Sequence, residues 1–157
     1  MKLRLIVVGK TTQDFVEAGA EMYRLRLEKY LPFELVTIPA LKKTRNLSPD
    51  DFRQKEGELI LKRTGKGDAT ILLDEKGKEM NSTGFANFLQ QKMNTGIKTL
   101  NFVIGGAYGF SPEVRQMAAA KISLSKMTFS HQIVRVIFME QLYRAFTIIR
   151  NEPYHNQ

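Results

Sequence analysis

The sequence contains no cysteine and only two histidines. The absence of cysteine excludes a disulfide framework, a zinc–thiolate site and a cysteine nucleophile, and it fits an intracellular protein. The two histidines lie far apart and no metal-ligand spacing surrounds them, so we expect no metal centre. No apolar run approaches the ~18 residues that a membrane helix needs. The four apolar residues after Arg4 are too few for a signal-peptide core, so we expect no membrane attachment.

The composition is otherwise that of an ordinary globular protein. With 157 residues, of which 43% are hydrophobic and 25% charged, the chain suits one domain with a substantial core. Collagen-like, coiled-coil and wholly disordered classes are excluded. The 24 lysines and arginines outnumber the 16 acids, which gives a net charge of +8. This balance favours a polyanionic partner, nucleic acid above all, with general solubility as the alternative.

Strand-like apolar runs alternate along the chain with amphipathic helical segments. The pattern predicts strands at 3–8, 33–38, 69–73, 100–104 and 122–125. It predicts helices at 12–31, 48–63, 82–96, 131–150 and a short one from 111. Ser48-Pro49 and Ser111-Pro112 signal two of the helix starts, because serine caps and proline suits the first turn. We therefore predict a single α/β domain over 1–157, with a mostly parallel sheet and helices on both faces.

A glycine-rich loop, Gly105-Gly106-x-x-Gly109, follows the fourth strand and precedes the short helix. Glycines let the backbone approach a ligand closely, and a helix N-terminus attracts anions. Ile104 stands where a dinucleotide-binding fingerprint has its first glycine, so the spacing is not that of a standard Rossmann turn. The loop indicates a nucleotide-like ligand, with a simple tight turn as the alternative.

Two other loops follow predicted strands, Leu73–Glu75 and Leu124–His131. Ligands of open α/β sheets bind outside the carboxyl ends of the strands, so these loops and the glycine loop could line one pocket. Ser125, Thr128 and Ser130 could instead cap the last helix. For His131 a cap or surface role is favoured over catalysis.

The last predicted helix is too apolar for a solvated one, which predicts burial of two faces, either in the core or with one face against a second subunit. Arg135, Arg144 and Arg150 could hold phosphates and Tyr143 could stack on a base, or they could form a solvated edge. The tail Pro153-Tyr154-His155 is of a kind that commonly frays, although an aromatic beside a histidine could stack and move a proton. The basic segment 42–66 contains interspersed acids, among them Glu56, and could be a mixed-charge helix surface. Within it the cluster Lys42-Lys43-Arg45 is the best candidate for RNA backbone contact.

Taken together in chain order, these segments resemble the ribosomal RNA large subunit methyltransferase H family of the SPOUT superfamily. The resemblance covers essentially the whole chain, and the matching segments are Met1–Gly9, Leu73-Asp74, Ile104–Gly109, Leu124–His131, Val134-Arg135, Glu140–Ala145 and Pro153–His155. It implies a C-terminal trefoil knot, a homodimer and S-adenosylmethionine bound in the knot. It also implies N3-methylation of a pseudouridine in a 23S rRNA stem-loop on the assembled 70S ribosome, and hence a cytoplasmic location.

The resemblance also implies roles for particular residues. The residues that it assigns to the S-adenosylmethionine pocket are Leu73, Gly105, Leu124, Ser125, Lys126, Met127, Thr128 and Phe129. Arg144, Tyr154 and His155 would serve RNA binding and catalysis, with His155 as the candidate base and Tyr154 positioning the target base. Ala107-Tyr108 and Phe129-Ser130 depart from the family pattern, which puts any carboxylate role in the glycine loop in doubt. The rival readings are a ribosome-associated RNA-binding protein without catalysis and a flavodoxin-like nucleotide- or flavin-dependent enzyme.

Overall fold

The computed structural model of the chain describes residues 1–156. Within this range five strands alternate with five helices. The strands are β1 (Lys2–Val8), β2 (Phe33–Ile38), β3 (Ala69–Glu79), β4 (Thr99–Ile104) and β5 (Ala120–Ser123). The helices are α1 (Asp14–Leu27), α2 (Pro49–Leu61), α3 (Ser82–Asn94), α4 (Pro112–Met117) and α5 (Ile133–Ile149). The predicted order of elements is confirmed, and β5 begins two residues earlier than predicted and ends at Ser123.

The strands form one sheet in the order β2-β1-β4-β3-β5, and every pairing in it is parallel. Parallel neighbours require each connection to return to the starting edge of the sheet, which the intervening helices do. Consequently all five strands end at one edge, here called the carboxyl edge, and α1 ends at the opposite, amino edge, just before β2. The predicted α/β class is confirmed.

Helices cover both faces of the sheet, as predicted. Alternate side chains of β1 point to opposite faces, with Leu5 in one core and Ile6 in the other. The larger core lies under α1, α3 and α5, and its buried helical residues include Leu27, Phe85 and Phe138. The smaller core lies under α2 and α4, around Ile60 and Val114.

Helix α5 owes its apolar composition to packing within the chain. It contacts both α1 and α3, and it buries Phe138, Leu142, Ala145 and Phe146. Of the two explanations for its density of apolar residues, burial in the core is therefore the one the structure supports. Helix α5 exposes Ile133, its first residue, at 39%, whereas α1 exposes three apolar side chains, Phe15, Met22 and Leu25, at 63%, 41% and 51%.

Local signals fix the helix starts. The Ser48 Oγ accepts a hydrogen bond from the Asp51 N–H at the start of α2, and the Ser111 Oγ accepts one from the Val114 N–H at the start of α4. Pro49 and Pro112 occupy the first helical positions. Both predicted caps are confirmed, because the side-chain oxygen satisfies an amide that the helix cannot.

The third strand continues past its predicted end. After Leu73, which pairs with Ile122, the chain bulges through Asp74–Gly77, and Lys78 then pairs with Ile122 again. A Cβ on Gly77 would lie 2.5 Å from the Ile122 carbonyl carbon, so only glycine permits this close approach. The polar residues of this segment gave no strand signal, because the pairing depends on a distant strand rather than on local propensity.

No helix of residues 1–156 is long and apolar enough to cross a membrane.

Gly77→Ala is expected to destabilise the protein by about 1–3 kcal/mol, since the methyl group forces the two strands apart. Urea denaturation followed by circular dichroism measures the loss. Glu79→Ala is the control, because Glu79 is an exposed residue of the same strand. Equal stabilities of Gly77→Ala and the control would contradict the role of this contact.

Candidate functional site

A cavity of about 450 Å³ opens at the carboxyl edge of the sheet, a volume typical of small-molecule sites. Three loops wall it, those that follow β3, β4 and β5. These are the three loops that the sequence predicts to meet. We call it the carboxyl-edge cavity. Its lining comprises Arg53, residues 73–76, residues 104–110, Arg115, Leu124, Ser125, residues 127–129, His131 and Val134.

Seven of the eight residues predicted to hold S-adenosylmethionine line this cavity. They are Leu73, Gly105, Leu124, Ser125, Met127, Thr128 and Phe129. Lys126 belongs to the same loop, but it is exposed and lies outside the lining. The fold thus brings this predicted set together, whereas the roles of its members stay predictions.

The glycine loop is anchored from below by a buried carboxylate. The Gly106 N–H donates to the Glu56 Oε1 at 2.8 Å, and a Cβ on Gly106 would collide with the same carboxylate. A Cβ on Gly105 would lie 2.9 Å from the Phe110 ring. Both glycines are therefore required by close packing beneath the loop, which leaves its upper side free to line the cavity.

Glu56 is only 2% exposed, and burial raises the pKa of its carboxyl group, an effect that the Gly106 hydrogen bond opposes. The alternative of a mixed-charge helix surface, considered from the sequence for the segment 42–66, is therefore wrong for Glu56. One signal was available, because position 56 is one helical turn before the apolar Ile60 and one turn after Phe52.

The cavity wall carries charges of both signs beside apolar side chains. The Asp74 side chain is 6% exposed and pairs with Arg115, whose Nη1 donates to the Asp74 Oδ2 at 2.6 Å. The Arg115 Nε also donates to the Phe110 carbonyl at 3.3 Å, which ties the end of the glycine loop to this ion pair. Arg53, Glu75 and Lys76 add further charges at the rim. Sequence reasoning did not connect Arg115 or Arg53 with this site.

The loop after β5 is shaped by serine hydroxyls. The Ser125 Oγ accepts the Met127 N–H at 2.9 Å, and the Ser123 Oγ donates to the Ser125 carbonyl at 3.0 Å. The Ser130 Oγ accepts the Ile133 N–H at 3.2 Å, so the capping alternative is correct for Ser130. Met127 is 77% exposed at the cavity mouth.

Arg135 has a structural role rather than the phosphate-binding role considered from the sequence. Its side chain is 1% exposed, and Nη2 donates to the Val8 carbonyl at 2.8 Å, Nη1 to the Thr11 Oγ1 at 3.0 Å and Nε to the His131 carbonyl at 2.9 Å. Burial lowers the pKa of the guanidinium group. Arg135 joins the loop after β1 to the start of α5, and it is out of reach of a phosphate.

The three predicted catalytic residues also lie together, around Glu140 of α5. The Arg144 Nε donates to the Glu140 Oε1 at 3.0 Å, and the Tyr154 hydroxyl donates to the same oxygen at 3.2 Å. The Arg144 Nη1 lies 3.4 Å from the His155 Nδ1. We call Arg144, Tyr154 and His155 the tail group. Glu140 had no role in the sequence reasoning beyond its place in a motif.

The tail does not fray in the structure. The Glu152 N–H donates to the Thr147 carbonyl at 2.8 Å, and the ring of Tyr154 packs edge-on against Tyr143 at 4.8 Å. Burial raises the pKa of the Tyr154 hydroxyl, and the Tyr23 hydroxyl and the negative charge of Glu140 add to the effect. The phenol therefore stays protonated at neutral pH and can donate a hydrogen bond.

The tail group and the carboxyl-edge cavity lie at opposite edges of the sheet. Arg144 is ten residues further along α5 than Val134, which lines the cavity, and this corresponds to about 15 Å along the helix axis. The Tyr154 and Tyr30 contacts place the tail beside the C-terminal half of α1, near the amino edge. None of the residues described as lining the cavity belongs to the tail group.

Within residues 1–156, no three His, Asp or Glu side chains cluster closely enough to hold a metal ion.

Comparisons with known proteins identify the same family as the sequence resemblance. A family model described as "Predicted SPOUT methyltransferase" matches residues 1–155. Over the full length of both chains, this chain is 54% identical to the "Ribosomal RNA large subunit methyltransferase H" of Christiangramia forsetii and 54% identical to the protein of the same name in Parabacteroides distasonis. The tRNA (m1G37) methyltransferase from Aquifex aeolicus superposes on all of this chain and on 76% of its own, with a TM-score of 0.55 and 16% identity, a likeness of fold alone.

Glu56→Gln is expected to change how stability depends on pH. Because folding raises the pKa of Glu56, its contribution to stability is full at low pH and is lost as pH rises through the raised pKa. Glutamine has no such loss, so the variant gains stability relative to the wild type as pH rises above about 4.5, the ordinary pKa of the carboxyl group. Urea denaturation across this range measures the difference, with Glu58→Gln on the exposed side of α2 as control. A difference that stays constant with pH would contradict the buried-carboxylate account.

Proposed function

This chain belongs to the SPOUT methyltransferase family, and on that premise we propose that it methylates N3 of a pseudouridine in a 23S rRNA stem-loop. The substrate is the assembled 70S ribosome in the cytoplasm, and the methyl donor is S-adenosylmethionine. The observation that carries the proposal is full-length identity of 54% to relatives named for the large-subunit rRNA. Membership of the family makes the chain a methyltransferase, which sets aside the two rival readings, an RNA-binding protein without catalysis and a flavodoxin-like enzyme.

The carboxyl-edge cavity suits S-adenosylmethionine in its chemistry. Leu73, Ile104 and Leu124 offer apolar contact for an adenine ring, and the backbone of the glycine loop offers hydrogen bonds to its edge. Asp74 and Arg115 remain paired with each other, and Glu75 and Lys76 at the rim offer the opposite charges that match the ammonium and carboxylate of the amino-acid end. When bound, this donor supplies a methyl group that its sulfonium already makes electrophilic, so the proposal includes no metal.

The tail group supplies the groups that the RNA side of the reaction needs. N3 of the target base must lose its proton, because a protonated imide is a poor nucleophile, and His155 is the candidate base. Tyr154, whose hydroxyl stays protonated and bonded to Glu140, is held in place to orient the target base. Arg144 is held by Glu140 in one orientation, which suits it to position a phosphate or the target base.

The separation of the two groups supports a homodimer. The tail group lies about 15 Å along α5 from the carboxyl-edge cavity of its own chain, so one chain alone does not bring the base to the methyl group. In a two-fold dimer with antiparallel helices, the tail of one protomer faces the cavity of its partner. The exposed apolar stripe Phe15, Met22 and Leu25 of α1 is surface that such a dimer would cover.

Positive charge supports attraction to the ribosome. The net charge of +8 favours binding to RNA phosphates, and Lys42, Lys43 and Arg45 are exposed in one loop. A chain of this size reads little sequence directly, so we expect the shape of the assembled ribosome to select the target.

The protein is expected to transfer labelled methyl from S-adenosylmethionine to ribosomes from cells that lack its gene. Mapping of the modified nucleotide is expected to find N3-methylpseudouridine in 23S rRNA. Wild-type ribosomes, already modified, are the control and are expected to take up no label. Label on another nucleotide would overturn the assigned target, and no label despite donor binding would overturn the assigned substrate.

A mixture of two inactive variants is expected to recover activity if the site is shared between protomers. His155→Ala removes the candidate base, and Thr128→Trp fills the mouth of the carboxyl-edge cavity at an exposed position. Random reassortment makes half of the dimers mixed, each with one intact site, so roughly a quarter of wild-type activity is expected.

Each variant alone, at the same total concentration, is the control for this mixture. His155→Ala is also expected to keep its affinity for S-adenosylmethionine, which calorimetry measures. A mixture that remains as inactive as its components would show that each chain works with its own tail, or that the assigned residues are wrong.

A further inference from the structure

A second cavity, of about 650 Å³, lies between the C-terminal ends of α1 and α5 and the chain's tail. Three basic side chains and three tyrosines line it, namely Arg26, Lys29, Arg150, Tyr30, Tyr143 and Tyr154. We call this the basic–aromatic cleft. It shares Tyr154 with the tail group and no residue with the carboxyl-edge cavity.

The cations of the cleft are not neutralised by the protein. Among residues 1–156, neither Arg26, Lys29 nor Arg150 forms an ion pair with a carboxylate. By contrast, Arg24 on the outer side of α1 is paired with both Glu21 and Glu28. The difference within one helix indicates that the cleft holds its positive charge available for an anionic ligand.

The single carboxylate in the lining is already engaged. Glu152 accepts a hydrogen bond from the Tyr30 hydroxyl. Burial and this carboxylate raise the pKa of Tyr30, so its hydroxyl stays protonated and the bond persists at neutral pH. Glu152 keeps its negative charge in this bond, so one negative charge against three positive ones leaves the lining with a net charge of +2.

The aromatic walls are held rigidly. The Tyr30 ring stacks on Phe146 with centroids 5.2 Å apart, and the Tyr143 ring meets Tyr154 edge-on at 4.8 Å. The Arg26 guanidinium lies 5.3 Å from the centroid of the Tyr143 ring. Tyr30, Tyr143 and Tyr154 are each partly exposed. The Arg144 guanidinium lies 4.8 Å from the centroid of the Tyr154 ring. Fixed, partly exposed aromatic rings beside cations that have no carboxylate partner are a combination that binds unpaired RNA nucleotides, whose bases stack while their phosphates are neutralised.

We propose that the basic–aromatic cleft binds an unpaired RNA nucleotide that flanks the methylated one. Its phosphate would lie against Lys29 and Arg150, and its base against the tyrosine rings. An acidic peptide would use the cations but not the aromatic faces, so the observations favour RNA. The inference rests on the proposed function, in that Tyr154 belongs both to the cleft and to the group that would act on the target base.

The test is the affinity of the dimeric full-length protein for unmethylated 70S ribosomes, measured by filter binding as a function of salt. The double variant Lys29→Gln/Arg150→Gln is expected to bind about tenfold more weakly and to lower the salt slope by about two, one for each lost phosphate contact. Its affinity for S-adenosylmethionine is expected to be unchanged, since the carboxyl-edge cavity is remote.

The matched control is Lys55→Gln/Lys62→Gln, which removes the same charge from exposed positions of α2 and its C-terminal cap on the opposite face of the sheet. An equal loss of ribosome affinity in the control would show a general charge effect and overturn the cleft. Unchanged ribosome affinity with a lowered melting temperature in the cleft variant would also overturn it, because Lys29 and Arg150 would then serve only the helix C-termini.

A second pair of variants tests the stacking surface. Tyr143→Phe keeps the ring and is expected to bind ribosomes as the wild type does, whereas Tyr143→Leu is expected to lose about tenfold. Equal affinities of the two variants would overturn base stacking. Binding is measured without methyl transfer, so a wild type that binds through the cleft but transfers no methyl would refute the proposed reaction alone. A wild type that does not bind ribosomes would refute both.

Discussion

All strand pairings in this sheet are parallel, and this one constraint places both chemical groups of the molecule. Parallel strands must be re-entered from the same edge, so the loops after β3, β4 and β5 converge at the carboxyl edge. The helices that connect the strands run back to the amino edge. The last helix and the tail that follows it place Arg144, Tyr154 and His155 there, beside α1. A cavity for a small molecule and a basic aromatic surface are thereby formed at opposite edges of one small domain.

The features that could be predicted from the sequence are those encoded locally. The caps at Ser48 and Ser111, the alternation of elements and the meeting of three strand-end loops follow from spacing and residue type. Glu56, Arg135 and the second half of β3 were missed for a common reason. Each is defined by a partner more than forty residues away, Gly106, Val8 and Ile122 respectively, and such partners leave no periodic trace.

The periodicity of apolar residues also does not predict the topology of the chain or its oligomeric state. It shows which sides of a helix are apolar. It therefore predicted that two faces of α5 are buried, but it did not identify α1 and α3 as the helices that pack against them. The trefoil knot rests on the family resemblance and the single-domain extent over 1–157 on chain length and the pattern of elements, and both stay predictions. The homodimer has a new physical argument, the separation of two groups that must meet, which only the three-dimensional arrangement provides.

The contacts of Arg135 indicate which part of the fold is completed late. The carboxyl end of the first strand is completed by a guanidinium 127 residues later in the chain, through the bond to the Val8 carbonyl. Contacts between residues so far apart in the sequence form slowly, because closing the intervening loop costs conformational entropy before the contact contributes any stabilisation. A nascent chain that lacks α5 has the three loops of the carboxyl-edge cavity but not the Arg135 clamp, which joins His131 at the end of the last loop to Val8 at the end of β1. The site thus matures last, so a chain released before α5 is made would lack that clamp.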